Sequence, residues 1–327
     1  MESVYIFSSG HLRRKGNTLV FETEEGKRYL PVENVSEIRI FGEVSLNKRL
    51  LEFLTQKGIM VHFFNHFGFY IGSYYPRESN QSGMVTLQQA NHYLDKEKRL
   101  EIAQRIVEGA LYNIMSTLKS QRSKDLEKII ENIAILKDKS QGARTISELM
   151  AYEGNAREIY YNAFNIILKN EKFCFTKREK RPPTNYINTL ISFGNSLLYT
   201  TALSEIFRTH LDPRIGYLHE TNQRRFSLNL DIAEIFKPII VDRVIFRLVN
   251  RSQIKEEHFS KIVGGLKLND RGRRIFAKEY EARLRETISH SRLKRKVSFR
   301  TLIRLEAYKL EKHILSVASY QPYHHSY

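Results

Sequence analysis

The sequence predicts an α+β fold of two domains: a small, mostly-β, sandwich-like N-terminal domain and a larger all-α-helical domain. Short segments rich in β-branched and aromatic residues fill the first 75 residues, whereas apolar residues recur with helical spacing over most of the remainder. Between the two patterns, the stretch 76–83 combines a proline with polar and small residues, which is typical of a linker. We therefore place the β domain at 1–77, the linker at 78–84 and the helical domain at 85–327.

Each domain can be divided into elements. In the first domain a glycine, Gly26, favours a tight hairpin turn, and Gly58 favours the end of a single helix over 46–57. The predicted strands of this domain span 4–7, 18–23, 27–32, 36–41, 59–64 and 69–75. The predicted helices of the second domain span 87–118, 125–136, 146–168, 186–210, 228–249, 272–289 and 301–317. The polar tail from Tyr320 is predicted to be frayed, with no specific role for His324 and His325.

The charge of the chain is strongly positive, with 53 Lys and Arg against 36 Asp and Glu and a formal net charge of +17. Such a charge predicts a polyanionic partner, although a solvated basic surface would give the same total. The one cysteine, Cys174, excludes an internal disulfide framework and a cysteine-based zinc cluster. With no signal-peptide pattern at the first residues and no apolar run of membrane-spanning length, we expect a cytoplasmic protein that is not bound to a membrane.

Chemistry-bearing residues concentrate in the stretch Gly216–Pro238. It contains His219, then Asp231 and Glu234, which face the same side of a helix that Ser227 would cap. A structural histidine and the wet face of an amphipathic helix are the ordinary explanations. The residues around the two carboxylates are nearly all apolar, however, and burying carboxylates among them is costly unless a cation compensates. The pattern therefore favours a divalent metal site with oxygen and nitrogen ligands.

A second candidate carboxylate, Glu153, lies on a predicted helix next to Gly154, where small residues allow a neighbouring helix to approach closely. Arg157 follows at i+4 and could pair with it. Taken alone, this segment favours an ordinary ion pair on a helix surface.

Together, these segments resemble the CRISPR-associated integrases of spacer acquisition, the CRISPR-associated protein one family. The resemblance covers essentially the whole chain, and the β-then-helical layout agrees with it. The motifs that carry it are Tyr152-Glu153-Gly154-x-Ala156-Arg157, Leu211-Asp212-Pro213-x-x-Gly216-x-Leu218-His219 and Ser227-Leu-x-Leu-Asp231-x-x-Glu234-x-Phe236-Lys237-Pro238, followed by Gly272-Arg273 and Tyr280-Glu281.

The resemblance implies a catalytic site in which Glu153, His219 and Glu234 bind one divalent ion, Mg²⁺ or Mn²⁺, with Asp231 as a supporting acidic residue. Many family members have aspartate in place of Glu234. The implied reaction is endonucleolytic cleavage and the joining of 3′-hydroxyl DNA ends into a CRISPR repeat by transesterification. The implied partners are DNA, a second copy of the chain and a small ferredoxin-like adaptation protein, with the β domain providing dimer or partner contacts.

Basic residues are densest between 261 and 312, a stretch that contains 16 Lys and Arg but only 6 Asp and Glu. Beside a phosphodiester site, such a block is expected to bind the DNA backbone. One residue differs from the usual family pattern: Lys237 stands where arginine is common, which removes the bidentate fork. The candidate DNA-binding residues are Arg224, Arg225, Lys237, Arg273, Arg274, Arg292, Lys294 and Arg295.

Two other functions agree with the same residues. One is a basic scaffold that binds nucleic acid without catalysis. The other is a metal-dependent nuclease that cuts branched DNA or RNA and does not integrate.

Overall fold

The computed structural model describes residues 2–76, 80–180, 182–221, 226–290 and 293–327. It confirms the predicted fold class, because a β-rich N-terminal region is followed by a larger, mainly helical region. Three of the candidate DNA-binding residues, Arg224, Arg225 and Arg292, lie outside the described residues.

The N-terminal region forms two four-stranded sheets with one helix. One sheet has the order β1-β5-β7-β8, with β8 antiparallel to its neighbour, and the other has the order β4-β3-β2-β6. A common apolar core, which includes Leu12, Ile38 and Leu50, holds the sheets and the helix together. The elements are β1 (Glu2–Ile6), β2 (Gly10–Lys15), β3 (Thr18–Thr23), β4 (Gly26–Pro31), β5 (Val35–Ile40), β6 (Val44–Ser45), α1 (Lys48–Gln56), β7 (Met60–Phe64) and β8 (Tyr70–Tyr74).

The helical region surrounds the long, buried helix α7. Its helices are α2 (Gly83–Leu94), α3 (Lys96–Lys119), α4 (Glu127–Ser140), α5 (Ile146–Asn162), α6 (Phe164–Ile167), α7 (Tyr186–Ile206), α8 (Leu228–Phe236), α9 (Arg243–Asn250), α10 (Asp270–Arg285) and α11 (Phe299–Ile314). The predicted helix 87–118 is wrong as one element: it divides at Asp95, whose carboxylate caps α3 by accepting hydrogen bonds from the amides of Glu97 and Lys98. The predicted helix 228–249 is interrupted by a π-helical turn over Pro238–Asp242.

Several strands were not predicted. Strand β2 is rich in basic residues and buries little besides Leu12, so it lacks the usual β pattern. The helical region also contains two hairpins, β9 (Phe259–Ile262) with β10 (Gly265–Leu268), and β11 (Thr287–His290) with β12 (Arg295–Ser298). Helix α10 therefore ends earlier than the predicted helix 272–289.

The C-terminal tail is packed, so the prediction that it is frayed is wrong. Tyr320 and His325 are buried, at 2% and 4% exposure. The Tyr320 hydroxyl donates to Glu306 Oε1 at 2.7 Å, and the His325 amide donates to Asn113 Oδ1 at 2.8 Å. Tyr323 stacks on Phe236, with ring centroids 5.8 Å apart. The tail thereby connects α3, α8 and α11.

A buried polar cluster joins the β region to α7. Glu37 and Arg39 on β5 are fully buried, and an Arg39 nitrogen lies 2.7 Å from Glu37 Oε1. The Arg39 guanidinium also donates to Thr201 Oγ1 at 2.6 Å, while His62 on β7 is hydrogen-bonded to Ser204 at 2.7 Å. Because buried charges require specific partners, these contacts fix how the sheet lies against α7. Among the described residues, no helix is long and apolar enough to cross a membrane.

Candidate active site

Helix α8 holds two carboxylates inside the protein. Asp231 is fully buried and Glu234 is 5% exposed, while the neighbouring Ile232 and Ile235 fill the core. Ser227 precedes the helix, but its side chain does not cap it. The Ser227 hydroxyl instead donates to the Arg214 carbonyl at 2.6 Å and accepts from the Gly216 amide at 2.8 Å. Ser227 therefore fixes the segment that leads to His219.

Asp231 organises that segment. Its Oδ2 accepts hydrogen bonds from the amides of Tyr217 at 2.6 Å and Leu218 at 3.1 Å, and its Oδ1 accepts from the His219 amide at 2.9 Å. Gly216 is required for this approach, because an added Cβ would lie 2.9 Å from Asp231 Oδ2. One carboxylate thus folds the chain before α8 back over the helix.

The same carboxylate orients the imidazole of His219. Nδ1 of His219 lies 2.8 Å from Asp231 Oδ1, and Nε2 faces Glu234, 4.0 Å from its Oε1. With Nδ1–H donating to Asp231, the Nε2 lone pair is directed at the site. Burial lowers the pKa of His219, but its hydrogen bond to Asp231 and the charges of Asp231 and Glu234 outweigh burial, so the pKa is raised above its usual value.

The third predicted ligand, Glu153, reaches the same place from α5. Arg157 bridges the two helices: its Nε donates to Glu153 Oε1 at 2.6 Å and its Nη2 to Glu234 Oε2 at 2.5 Å. The Lys237 ammonium pairs with the other oxygen of Glu234. Burial raises the pKa of Glu234, but Lys237, Arg157 and His219 outweigh it and lower the pKa to about 2. Glu153 and Glu234 are therefore joined through one guanidinium, and His219 lies beside Glu234.

The donor set fits a hard divalent cation. Two carboxylates and an imidazole nitrogen are ligands that Mg²⁺ and Mn²⁺ accept, and the Asp231–His219 hydrogen bond is the arrangement that usually orients a metal-binding histidine. Within the described ranges, no three His, Cys, Asp or Glu side chains converge closely enough to hold an ion as they stand. The Arg157 guanidinium bridges the two carboxylates instead, and the Lys237 ammonium pairs with Glu234.

The predicted DNA-binding residues differ in position. The Lys237 and Arg273 side chains are buried; Arg273 donates to the His66 carbonyl and lies 3.4 Å from Asp270. These two side chains are therefore engaged inside the protein. Arg274 on α10 and Lys294 and Arg295 on the β11–β12 hairpin are exposed.

Two neighbours of the site were missed from the sequence. Burial, together with the charges of Arg178 and Lys237, lowers the pKa of Lys180, which lies near enough to Glu234 and Glu153 for their charges to oppose that shift. The Lys180 residue as a whole nevertheless remains exposed. The basic run 177–180 was a signal that could have identified it. Asp242 lies behind the site, where it accepts a hydrogen bond from Tyr160 at 2.9 Å.

Comparison with known proteins decides the family. The model of the family described as CRISPR associated protein Cas1 matches residues 4–282. The chain belongs to the Cas1 family. It is 57% identical over 324 residues to "CRISPR-associated endonuclease Cas1 2" of Thermodesulfovibrio yellowstonii, covering 98% of both chains. It is 56% identical to "CRISPR-associated endonuclease Cas1" of Thermotoga maritima, covering 96% of this chain and 97% of the relative.

Solved structures agree with this assignment. A Cas1 protein from Thermotoga maritima superimposes with a TM-score of 0.90 at 53% identity, over 98% of this chain and 100% of that one. A casposase bound to an integration product has the same fold, with a TM-score of 0.85 at 21% identity, over 98% of this chain and 93% of that one. The Cas1 fold thus accounts for both the β region and the helical region.

Proposed function

We propose that this Cas1 protein is a divalent-metal-dependent DNA endonuclease and integrase of CRISPR adaptation. It joins the 3′-hydroxyl ends of a short DNA fragment to the CRISPR repeat by transesterification. The observation that carries the proposal is that Arg157 bridges Glu153 and Glu234, which come from separate helices, while Nε2 of His219 faces Glu234. The names of its relatives, which are CRISPR-associated endonucleases, support the endonuclease part of the proposal.

Glu153, Glu234 and Nε2 of His219 would hold one Mg²⁺ or Mn²⁺. A bound ion supplies Lewis-acid stabilisation of the charge that develops on the phosphoryl oxygens. Asp231 acts as a positioning residue, because it keeps Nδ1 of His219 protonated and leaves Nε2 free to bind. Its three backbone contacts prevent the imidazole from moving away from Glu234.

Exposed basic residues would bind the DNA backbone. Lys180 stands near the carboxylates and would contact a phosphate next to the reacting one. Arg274, Lys294 and Arg295 provide exposed positive charge elsewhere on the helical region and would contact phosphates further away. Buried Lys237 and Arg273 are not part of this surface in the proposal.

The assembly is proposed to be a homodimer that works in the cytoplasm with a small ferredoxin-like partner. One solved structure of the same fold is a Cas6-RT-Cas1–Cas2 complex; it covers 99% of this chain at 21% identity with a TM-score of 0.84. The association of Cas1 with Cas2 in that complex supports the proposal that this chain also works with a second adaptation protein.

A strand-transfer assay tests the function. The purified protein and its candidate partner would be incubated with Mn²⁺, a supercoiled plasmid bearing a CRISPR repeat, and a short duplex with either 3′-hydroxyl or 3′-dideoxy ends. We expect covalent joining with the hydroxyl ends only, and its loss in E153Q and E234Q. E158Q is the matched control, since Glu158 lies on the same helix as Glu153 and is exposed.

The other outcomes of this assay are informative. Cleavage of the plasmid without joining would show that the protein is a nuclease and not an integrase. Joining that survives in both E153Q and E234Q would show that these carboxylates are not the catalytic ligands.

A further inference from the structure

Arg157 occupies an unusual position for an arginine at a candidate metal site. Its guanidinium bridges the two carboxylates that would bind the ion, 2.6 Å from Glu153 Oε1 and 2.5 Å from Glu234 Oε2, and its side chain is only 13% exposed. These carboxylates are therefore already neutralised by a cation of the protein itself. The bridge also brings α5 and α8 together, which is what an ion shared by the two helices would do.

We infer that Arg157 is an internal counter-cation that a divalent ion must displace from Glu153 and Glu234. The inference rests on the proposed function, since it concerns the same ligands. In this exchange the two Arg157–carboxylate ion pairs are broken and carboxylate–metal contacts form, with no covalent change. Arg157 would thus set the affinity of the site, because each binding event must first overcome this internal competitor.

The charges favour an exchange over coexistence. In the structure, the Glu153 and Glu234 carboxylates are balanced by Arg157 and Lys237. A divalent ion added beside both cations would leave an excess of two positive charges in a buried site. Like charges at close range in such a site repel strongly. Release of one cation removes half of that excess.

Arg157 rather than Lys237 is the cation to leave. Lys237 pairs with one carboxylate only and is also held over the Tyr199 ring, with its ammonium 4.9 Å from the ring centroid. Arg157 blocks both proposed carboxylate ligands at once. Its Nη1 is buried and, among the described atoms, has no hydrogen-bond partner. An unsatisfied buried donor is costly, so the bridged state is easier to disrupt than its two short ion pairs suggest.

Manganese binding measures the exchange directly. The dissociation constant would be obtained from the EPR signal of free Mn²⁺ for the wild-type protein and R157M, and the melting temperature would be recorded with and without the ion. We expect R157M to bind Mn²⁺ at least about tenfold more tightly, because the competing cation is gone. We also expect R157M without metal to melt at a lower temperature and to gain more from Mn²⁺ than the wild type does.

Arg247 provides the matched control. It also bridges two carboxylates, with its Nη1 2.7 Å from Glu279 and 3.0 Å from Glu286, but none of these residues belongs to the candidate site. R247M should lower the melting temperature of the metal-free protein and leave the Mn²⁺ dissociation constant unchanged. If R157M does not fold, R157K takes its place. We expect R157K to bind Mn²⁺ more tightly than the wild type does, because one ammonium group cannot contact both carboxylates as the guanidinium does.

The results that overturn the inference differ from those that overturn the function. If E153Q abolishes Mn²⁺ binding while R157M, or R157K in its place, binds with unchanged or weaker affinity, Arg157 merely orients the carboxylates and the inference is wrong. If neither the wild type nor the variants bind Mn²⁺, the metal site itself is wrong and the proposed function fails with it.

Discussion

In the proposed site, Asp231 is a buried carboxylate that positions other residues and is not itself a ligand. It accepts hydrogen bonds from three backbone amides and from the imidazole of His219, so both of its oxygens are bonded to groups of the protein. Sequence spacing placed Asp231 and Glu234 on one face of a helix but did not distinguish their roles. The structure distinguishes them, because only Glu234 also meets Arg157 and faces Nε2 of His219.

The variant D231N tests this positioning role. In D231N, an NH₂ group replaces one carboxylate oxygen and faces N–H groups that need an acceptor. The hydrogen bonds that align His219 are therefore weakened. We expect the affinity for Mn²⁺ to fall roughly 10- to 100-fold, with a lower melting temperature. The affinity would be measured by isothermal titration calorimetry, with D270N as a control, since the Asp270 side chain is 63% exposed. An unchanged affinity in D231N would show that the hydrogen bond does not position the imidazole.

The helices and strands that bury an apolar pattern were predictable, and the others were not. The strands β3, β5 and β7 follow from their β-branched and aromatic residues, and α8 follows from the apolar residues around Asp231. Strand β2 carries mostly polar or basic side chains, and each strand of the two hairpins in the helical region has only four residues, so neither periodicity nor composition marks them. In the site, the pairing of Glu153 with α8 depends on tertiary contact, which the sequence suggested only through family resemblance.

The C-terminal tail was misjudged because its partners are distant in sequence. Its polar residues and proline are typical of a free end, yet His325 bonds to Asn113, and Tyr320 bonds to Glu306. Burial lowers the pKa of His325 to about 4, and the charges of Arg283 and Arg243 act in the same direction. The folded protein therefore keeps this imidazole neutral where the unfolded chain would protonate it.

The packed tail predicts a specific loss of stability in acid. As the pH falls from the ordinary imidazole pKa of 6.5 towards 4, the unfolded chain binds more protons at His325 than the folded protein does, so acidification favours unfolding. Between pH 7 and pH 4.5, the free energy of unfolding should fall by about 1–2 kcal/mol less in H325Q than in the wild type. Urea unfolding at several pH values measures this difference.

A histidine elsewhere separates this effect from general titration. H11Q, at an exposed position on β2, should keep the wild-type pH dependence. If H325Q and the wild type lose stability in parallel, the tail is not docked in solution as the structure has it.

A polar cluster joins the β region to the helices of the candidate site. Arg39 contacts Glu37 on its own strand and Thr201 on α7, and all three side chains are buried. Helix α7 also supplies Tyr199, whose ring lies under Lys237. The cluster therefore connects the β region to the helix that borders the site.

Removing one partner of this cluster should be more damaging than removing both. R39M leaves the Glu37 carboxylate buried with fewer partners, and we expect a loss of about 3–5 kcal/mol in the free energy of unfolding. The double variant E37Q/R39M should lose less than the sum of its single variants, which denaturant titration would measure as a coupling energy. R13M, which breaks a partly exposed pair with Glu22, is the control and should destabilise the protein far less than R39M. Additive losses in the double variant would show that the pair does not act as a unit.

The position of a bound manganese ion tests the central claim most directly. Crystals of the protein grown or soaked with Mn²⁺ would be measured for anomalous scattering at a wavelength where manganese contributes strongly. We predict one strong peak per chain, about 2.1 Å from an oxygen of Glu153, an oxygen of Glu234 and Nε2 of His219, with the Arg157 guanidinium moved away from both carboxylates. A peak bound by other residues, or a fully occupied ion beside an unmoved Arg157 bridge, would contradict this account.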